Sequence, residues 1–137
     1  MNGLTRVANI AISIDQSGSV SDVMLASFFA ELNSLSKLAT FTVVPFDTQV
    51  DESKIYVWKK GQRMAAERVM CGGTCFNAPT EYVNKRGDFD GHLILTDMEA
   101  PKPIPSKCQR MWITDENGKA HSYFDTKEIV VAIKTLE

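Results

Sequence analysis

The stretch "IAISIDQSGSV", residues 10–20, decides the fold. Together with the three residues before it, it gives "VANIAISI" (7–14), which is mostly apolar and partly β-branched, as is typical of a buried parallel strand covered by helices on both faces. The strand pattern then ends on Asp15, followed by a turn that carries Ser17 and Ser19. Because buried polar groups are costly unless something satisfies them, this strand end is predicted to bind a ligand.

Outward from this strand, the chain alternates between helix and strand patterns. Residues 21–39 place apolar side chains at spacings of three and four, and Ser21 is a suitable N-cap, so a helix with one buried face is predicted. That face comprises Leu25, Phe28, Phe29, Leu32, Leu35 and Leu38. The remaining patterns predict strands over 40–46, 54–59, 90–97, 108–114 and 127–133, a helix over 74–86, a mixture of helix and loop over 61–73, and a turn over 115–120.

These elements predict one α/β domain over residues 1–137. The short polar link at residues 47–53 favours an antiparallel hairpin, which places the strand over 54–59 at an edge of the sheet. The predicted fold is therefore a doubly wound, Rossmann-like and mostly parallel sheet, with one antiparallel edge strand and helices on both faces. Ligands bind such sheets at the carboxyl ends of the strands, where the strand order reverses.

The composition narrows the class of protein. A chain of 137 residues with 44% hydrophobic and 23% charged residues is typical of a single soluble globular domain. The net charge of −2 gives no electrostatic reason to expect nucleic acid or an anionic membrane as a partner. No apolar run reaches the length of about 18 residues that crosses a bilayer, and "MNGLTRVAN" (1–9) lacks the apolar core of a signal peptide.

The three cysteines, Cys71, Cys75 and Cys108, bear on the cellular compartment. An odd number of cysteines without a secretory signal predicts reduced thiols and a cytoplasmic location. The spacing in "CGGTC" (71–75) also admits a zinc site. Since neither a second cysteine pair nor clustered histidines accompany it, free thiols are the favoured interpretation.

A second aspartate, Asp97, ends the strand pattern "HLILTD" as Asp15 ends the first. If the two strands are neighbours, their ends lie about 5 Å apart, and two carboxylates there repel unless one is protonated or a cation lies between them. The hydroxyls of Ser17 and Ser19 favour the cation, and oxygen ligands alone favour Mg²⁺, Mn²⁺ or Ca²⁺. Gly18 is expected to let the turn fold back so that these side chains converge.

Three motifs carry a family resemblance: "DQSGS" (15–19), "GGT" (72–74) and "LTD" (95–97). In order and spacing they resemble the metal-ion-dependent adhesion site of the von Willebrand factor A (VWA) domain, and the resemblance spans nearly the whole chain. It is closer still to the VWA-like domain of bacterial metallopeptidase-like proteins, whose strand-rich tail is similar to residues 123–137. The implied metal ligands are Asp15, Ser17, Ser19, Thr74 and Asp97.

The resemblance implies a protein-binding module with no catalysis of its own. The bound ion, Mg²⁺ or else Mn²⁺ or Ca²⁺, accepts an Asp or Glu of a protein partner as its last ligand. By analogy, that partner is an AAA+ ATPase of the MoxR type or a metallopeptidase-like protein. Two positions depart from the family pattern, since Cys75 stands where an acidic residue is common and Met98 where glycine is frequent.

Two other classes of function stay open. Asp15, Thr96, Asp97 and Lys102 are loosely similar to Mg²⁺-dependent haloacid-dehalogenase-like phosphatases, but Ser17 occupies the position of the acid that such enzymes need. The chain also fits a VWA-like scaffold whose metal site stays unoccupied.

Local structure offers simpler interpretations of single residues. Ser19 is suited to cap the following helix, and Asp97 is suited to form a turn. Asp47 is interpreted mainly as a loop residue, with an indirect role behind the metal ligands as the alternative.

Overall fold

The computed structural model describes residues 8–135 as an α/β fold. Val7, the first residue of the first predicted strand, lies outside the described residues. The strands are β1 Ile10–Asp15, β2 Phe41–Phe46, β3 Tyr56–Trp58, β4 Gly91–Leu95, β5 Gln109–Asp115 and β6 Val130–Ile133. The helices are α1 Asp22–Ser36, α2 Asn77–Arg86 and α3 Glu116–Ala120, and a single 3₁₀ turn spans Glu52–Lys54. Among these described helices, none has the length and apolar character needed to cross a membrane.

The six strands form one sheet in the order β3-β2-β1-β4-β5-β6. β1 pairs in parallel with β2 and with β4, and the pairs β4–β5 and β5–β6 are also parallel. β3 pairs antiparallel with β2 at the edge of the sheet. The predicted fold class is therefore confirmed. The strand order reverses between β1 and β4, so the ligand-binding edge lies at their carboxyl ends.

Alternate residues of β1 face opposite sides of the sheet, and each side is covered by a helix. Ile12 and Ile14 pack in one core cluster with Phe28 and Leu32 of α1. Ala11 packs on the other side with Val83 of α2. Burial of each of the Ile, Leu, Phe and Val side chains stabilises the fold by about 1.5–3 kcal/mol relative to exposure, and the two layers hold the central strand from both sides.

The predicted apolar stripe of α1 is wrong at its end. α1 ends at Ser36, and Leu38 lies in the following turn with 76% of its surface exposed. The hydroxyl of Ser36 donates hydrogen bonds to the carbonyl oxygens of Asn33 and Gln62, at 2.9 and 3.0 Å. These bonds fix the end of the helix one turn earlier than the apolar spacing alone predicts.

The prediction of partial helix over residues 61–73 is also wrong. Residues 62–70, called the covering segment below, contain neither helix nor strand. The side chain of Asn33 bonds both backbone groups of Met64, receiving the N–H at 2.9 Å and donating to the carbonyl at 2.8 Å. Because side chains satisfy this backbone, the segment needs no internal helical hydrogen bonds.

Residues 115–120, predicted as a turn, include the short helix α3. The carboxylate of Asp115 accepts a hydrogen bond from the N–H of Gly118 at 2.7 Å and caps this helix. α3 follows β5 directly at the carboxyl edge of the sheet, on the same side of the molecule as the ends of β1 and β4.

Candidate metal centre

Asp15 is the last residue of β1, and its side chain is completely buried. Its Oδ1 accepts a hydrogen bond from the N–H of Ser17 at 2.9 Å, and its Oδ2 accepts one from the hydroxyl of Thr96 at 2.6 Å. Burial raises the pKa of Asp15 to about 6; these hydrogen bonds oppose the rise, and the nearby carboxylate of Asp97 adds to it. The carboxylate is thus fixed in position at a site that penalises its charge.

Ser17 and Ser19 bring their hydroxyl oxygens to 3.1 Å from each other. Ser17 is buried and Ser19 is exposed, so the pair extends from the base of the site to its surface. Ser19 is not the cap of α1, because the hydroxyl of Ser21 accepts the hydrogen bond from the N–H of Met24 at 3.1 Å. The capping role belongs to Ser21, which leaves the Ser19 hydroxyl available to the site.

Gly18 does not have the role that the sequence suggests. Its φ lies outside the left-handed region, and a Cβ added there would meet only Cys71, with the sulfur at 3.8 Å. The turn at residues 15–19 therefore needs no glycine for its backbone conformation. Instead, the N–H of Gly18 donates to the carbonyl oxygen of Gly72 at 3.0 Å and joins the turn to the loop that carries Thr74.

Asp97 lies two residues beyond β4 and is almost completely buried. Its Oδ1 accepts a hydrogen bond from the N–H of Glu99 at 3.1 Å. Its Oδ2 is buried and has no hydrogen-bond partner among the described residues. An unsatisfied buried carboxylate oxygen is costly, and a cation bound beside it removes that cost.

Thr74 is half-exposed on a loop that Asp47 positions. The carboxylate of Asp47 accepts a hydrogen bond from the N–H of Gly72 at 3.1 Å, and its carbonyl oxygen accepts one from the N–H of Cys75 at 3.0 Å. The Thr74 hydroxyl makes no hydrogen bond within residues 8–135. The structure therefore brings the loop of Thr74 against the turn at residues 15–19, called the serine turn below. Thr74 makes no hydrogen bond to the other four predicted ligands.

Arg68 is a residue of the site that the sequence did not reveal. Its guanidinium donates hydrogen bonds to the carbonyl oxygens of Gln16 and Ser17, both at 3.0 Å, and also to that of Val20. It also forms an ion pair with Asp22, with an N–O distance of 3.1 Å. One side chain thus clamps the backbone of the whole turn from Gln16 to the start of α1.

Gln16, the residue between Asp15 and Ser17, is likewise a part of the site that the sequence did not reveal. Its side chain is buried, donates to the carbonyl of Glu67 at 3.2 Å and accepts from the N–H of Val69 at 3.0 Å. Gln16 of the turn therefore bonds the covering segment, and Arg68 of the covering segment bonds the turn. No local sequence pattern predicts these contacts, because they join positions about 50 residues apart.

Met98 adopts a backbone conformation that suits glycine. Its φ is 65°, in the left-handed region, and its side chain is fully buried. The side chain packs with Phe46, Phe76 and Trp112 on the α2 side of the sheet. Compared with glycine, Met98 is less favourable in this left-handed backbone conformation, but its side chain adds buried apolar contacts next to Asp97.

The types of donor atom at this edge favour some of the metals that the sequence suggests over others. Residues 8–135 contain no group of three or more His, Cys, Asp or Glu side chains arranged to hold a metal, and Cys71 and Cys75 are free thiols. The groups at the edge of β1 and β4 are two carboxylates with neighbouring hydroxyls, and one carboxylate oxygen has no hydrogen-bond partner in the described part of the chain. Oxygen donors of this kind fit Mg²⁺, Mn²⁺ or Ca²⁺ better than zinc.

The strand order and this polar strand edge define a VWA-like fold, and comparison with known proteins agrees. The family described as VWA-like domain (DUF2201) matches residues 10–131, and the chain belongs to that family. Among solved structures, the crystal structure of the ArnB paralog VWA2 from Sulfolobus acidocaldarius is similar, with a TM-score of 0.52 and 16% sequence identity. The similarity covers 78% of this chain but 34% of that one, so it shows the shared fold. None of the curated proteins matches the sequence.

Proposed function

We propose that this protein is a protein-binding module that depends on a divalent metal ion and recognises an acidic side chain of its partner. The ion is Mg²⁺, with Mn²⁺ and Ca²⁺ as alternatives, and its site is a metal-ion-dependent adhesion site. The residues that hold it are Asp15, Ser17, Ser19, Thr74 and Asp97. A VWA-like domain is itself typical of protein interaction, and the metal dependence is the additional step that we propose.

The observation that carries this proposal is the Oδ2 atom of Asp97, which is buried and has no hydrogen-bond partner among the described residues. It lies at the same sheet edge as Asp15, whose charge is destabilised by burial and by Asp97 itself. Neither carboxylate contacts a basic side chain within residues 8–135, and two such buried carboxylates are stabilised when a cation binds between them.

The charge balance explains why the ion would attract an acid. Asp15 and Asp97 together offer two negative charges, and the remaining proposed ligands are neutral hydroxyls. These five ligands alone leave a divalent ion without excess negative charge, so it still accepts a further oxygen ligand, although the Glu99 carboxylate beside Asp97 adds negative charge nearby. Ser19 is exposed and Thr74 half-exposed, so this is the side from which an Asp or Glu of a partner reaches the site.

We propose no catalysis at this site. The residue two positions after Asp15 is Ser17, whose hydroxyl is not a general acid at neutral pH. The phosphatase alternative would also need Thr96 to contact substrate, but that hydroxyl donates to Asp15 at 2.6 Å and is fully buried. The site is thus equipped to hold a ligand.

The partner and location follow from resemblance and composition. A metallopeptidase-like protein or an AAA+ ATPase of the MoxR type is the proposed partner, by analogy with VWA-like relatives. The free thiols of Cys71, Cys75 and Cys108 are compatible with the proposed cytoplasmic location.

Calorimetric titration with Mg²⁺ and Mn²⁺ tests the site. Asp15→Ala is expected to abolish binding of both ions while the circular dichroism spectrum keeps its α/β form. Asp125→Ala, at an exposed aspartate in the loop before β6, is the control and binds metal like the wild type. Unchanged affinity in Asp15→Ala would refute the metal site.

The partner step is tested separately by a pull-down from cell extract in Mg²⁺ or in chelator. Proteins that recognise the metal site are retained in Mg²⁺, lost in chelator and lost with Asp15→Ala. Retention that is identical in all three conditions would leave a VWA-like scaffold that binds through other surfaces.

A further inference from the structure

A cavity of about 210 Å³ lies beside the metal site, on the α1 side of the sheet. Ile14, Pro45 and Tyr56 of the sheet and Phe29 of α1 line one side of it. Met64, Ala65 and Val69 of the covering segment line the other. The wall is therefore mainly apolar and is formed by two parts of the chain that regular secondary structure does not join.

Two of the polar side chains in this wall, Gln16 and Lys54, are already engaged, while the Glu67 carboxylate also lines the wall. Gln16 bonds the covering segment with both ends of its amide, and Lys54 pairs with Asp51 at 3.4 Å. Burial raises the pKa of Tyr56 to about 12, so its phenol stays neutral. Water is held poorly in a cavity that offers few free polar partners, whereas an apolar cavity of about 150 Å³ is large enough to bind benzene.

We propose that this cavity is a binding site for a small uncharged apolar molecule of about the size of indole, and that its occupancy alters metal affinity. The ligand site stands on the cavity alone, whereas the coupling rests on the proposed function. A small free molecule is the proposed occupant because the volume of about 210 Å³ suits a single small ring system and the wall is mainly apolar.

The coupling has a physical route through two side chains. Gln16 forms part of the cavity wall, lies between Asp15 and Ser17 in the chain, and holds the covering segment at Glu67 and Val69. Arg68, between those two positions, holds the carbonyls of the serine turn. A ligand that shifts the covering segment therefore also shifts the backbone that positions the proposed metal ligands, and the effect must be reciprocal.

Indole is the probe, followed by ¹³C-methyl NMR in chelator so that the cavity is tested without metal. Indole is expected to shift the methyl signals of Ile14, Met64, Ala65 and Val69 in a saturable way. Ala65→Leu, which adds volume to the cavity wall, weakens binding about tenfold or more. Ala66→Leu, at the adjacent exposed alanine that does not line this cavity, changes it by less than about twofold.

The titration is then repeated in saturating Mg²⁺. Indole affinity is expected to change about fivefold or more, and indole changes Mg²⁺ affinity by the same factor in the same direction. Absent methyl shifts, or equal binding by Ala65→Leu and the wild type, would overturn the ligand site. Equal indole affinity with and without bound Mg²⁺ would overturn the coupling. If Mg²⁺ itself does not bind, the proposed function fails while the titration in chelator still decides the ligand site.

Discussion

The guanidinium of Arg68 donates a hydrogen bond to the carbonyl oxygen of Ser17 at 3.0 Å, across 51 positions of the chain. The same side chain bonds Gln16 and Val20 and pairs with Asp22. A planar group with five donors thus fixes the backbone of the turn that presents the proposed metal ligands. The proposed metal site therefore depends on a residue far outside its own motif.

Arg68→Lys is expected to weaken Mg²⁺ binding about tenfold, because an ammonium cannot bond several carbonyls in the fixed directions of a guanidinium. Calorimetry with Mg²⁺ measures the change. Arg63→Lys, at an exposed arginine of the same segment, is the matched control and leaves the affinity unaltered. Equal affinities for Arg68→Lys and the wild type would show that the turn holds its shape without this clamp.

Asp15→Asn is expected to stabilise the metal-free protein at neutral pH, although it removes a proposed metal ligand. The folded state raises the pKa of Asp15 from 3.8 to about 6, so the folded protein binds more protons than the unfolded chain between these values. Stability is therefore lost as the pH rises through this window, by about 1–3 kcal/mol in total. Asparagine does not ionise and avoids that loss.

Guanidinium chloride unfolding in chelator checks this at about pH 3.5 and about pH 7. The two proteins should differ little at the lower pH, and the variant should be more stable at the higher one. In Mg²⁺ the order should reverse, since ion binding stabilises only the protein that retains the site. If Asp15→Asn is less stable than the wild type at neutral pH in chelator, then the buried ionised carboxylate of Asp15 does not destabilise the metal-free protein as expected.

Much of the fold was predictable because its signals are local. The apolar run before Asp15 and the three-and-four spacing of α1 each indicate an element within a few residues, and the short link after β2 indicates the antiparallel edge. The end of α1 was missed at Leu38, because the bonds of the Ser36 hydroxyl, one of them to Gln62, override the apolar periodicity.

The candidate site was predictable only in its motif residues. Asp15, Ser17 and Asp97 stand out as polar groups at the ends of buried strands. The contacts of Arg68 and Gln16 were not predictable, since the covering segment has no periodicity that places it against the turn. Side-chain hydrogen bonds between distant segments leave no local trace in the sequence.

Gly72 and Gly18 are expected to respond differently to alanine. A Cβ on Gly72 would lie 2.7 Å from Oδ2 of Asp47, so the carboxylate must move and lose its bond to the Gly72 N–H. Gly72→Ala should cost about 0.5–1.5 kcal/mol of unfolding free energy and weaken metal binding through the loop of Thr74.

Gly18→Ala provides the comparison, because a Cβ there meets only Cys71, at 3.8 Å or more, and the backbone is not left-handed. Its unfolding free energy should equal that of the wild type or exceed it by up to about 1 kcal/mol, since alanine restricts the unfolded chain. Chemical denaturation of both variants measures the difference. A large loss in Gly18→Ala would restore the conformational role that the sequence suggested.

His92 is expected to make stability depend on pH below neutrality. It is buried on β4 with Nε2 2.6 Å from the hydroxyl of Ser13, and Nδ1 has no hydrogen-bond partner among the described residues. Burial, assisted by the charge of Arg110, lowers the pKa of His92 from 6.5 to about 3. Between these two pKa values the unfolded chain binds a proton that the folded protein does not. The contribution of neutral His92 to the free energy of unfolding is therefore fully present above the pKa of the unfolded chain, and it falls as the pH falls.

His92 alone changes the free energy of unfolding by at most about 1.4 kcal/mol per pH unit, and the carboxylates of the protein also make this free energy depend on pH. The informative quantity is therefore the difference in slope between the wild type and His92→Gln, which does not ionise and still offers a hydrogen-bonding group toward Ser13. Urea unfolding from about pH 4 to about pH 7 should give a shallower curve for the variant. His121→Gln, at an exposed histidine, should follow the wild type, and parallel curves for all three proteins would mean that His92 takes up its proton without unfolding the chain.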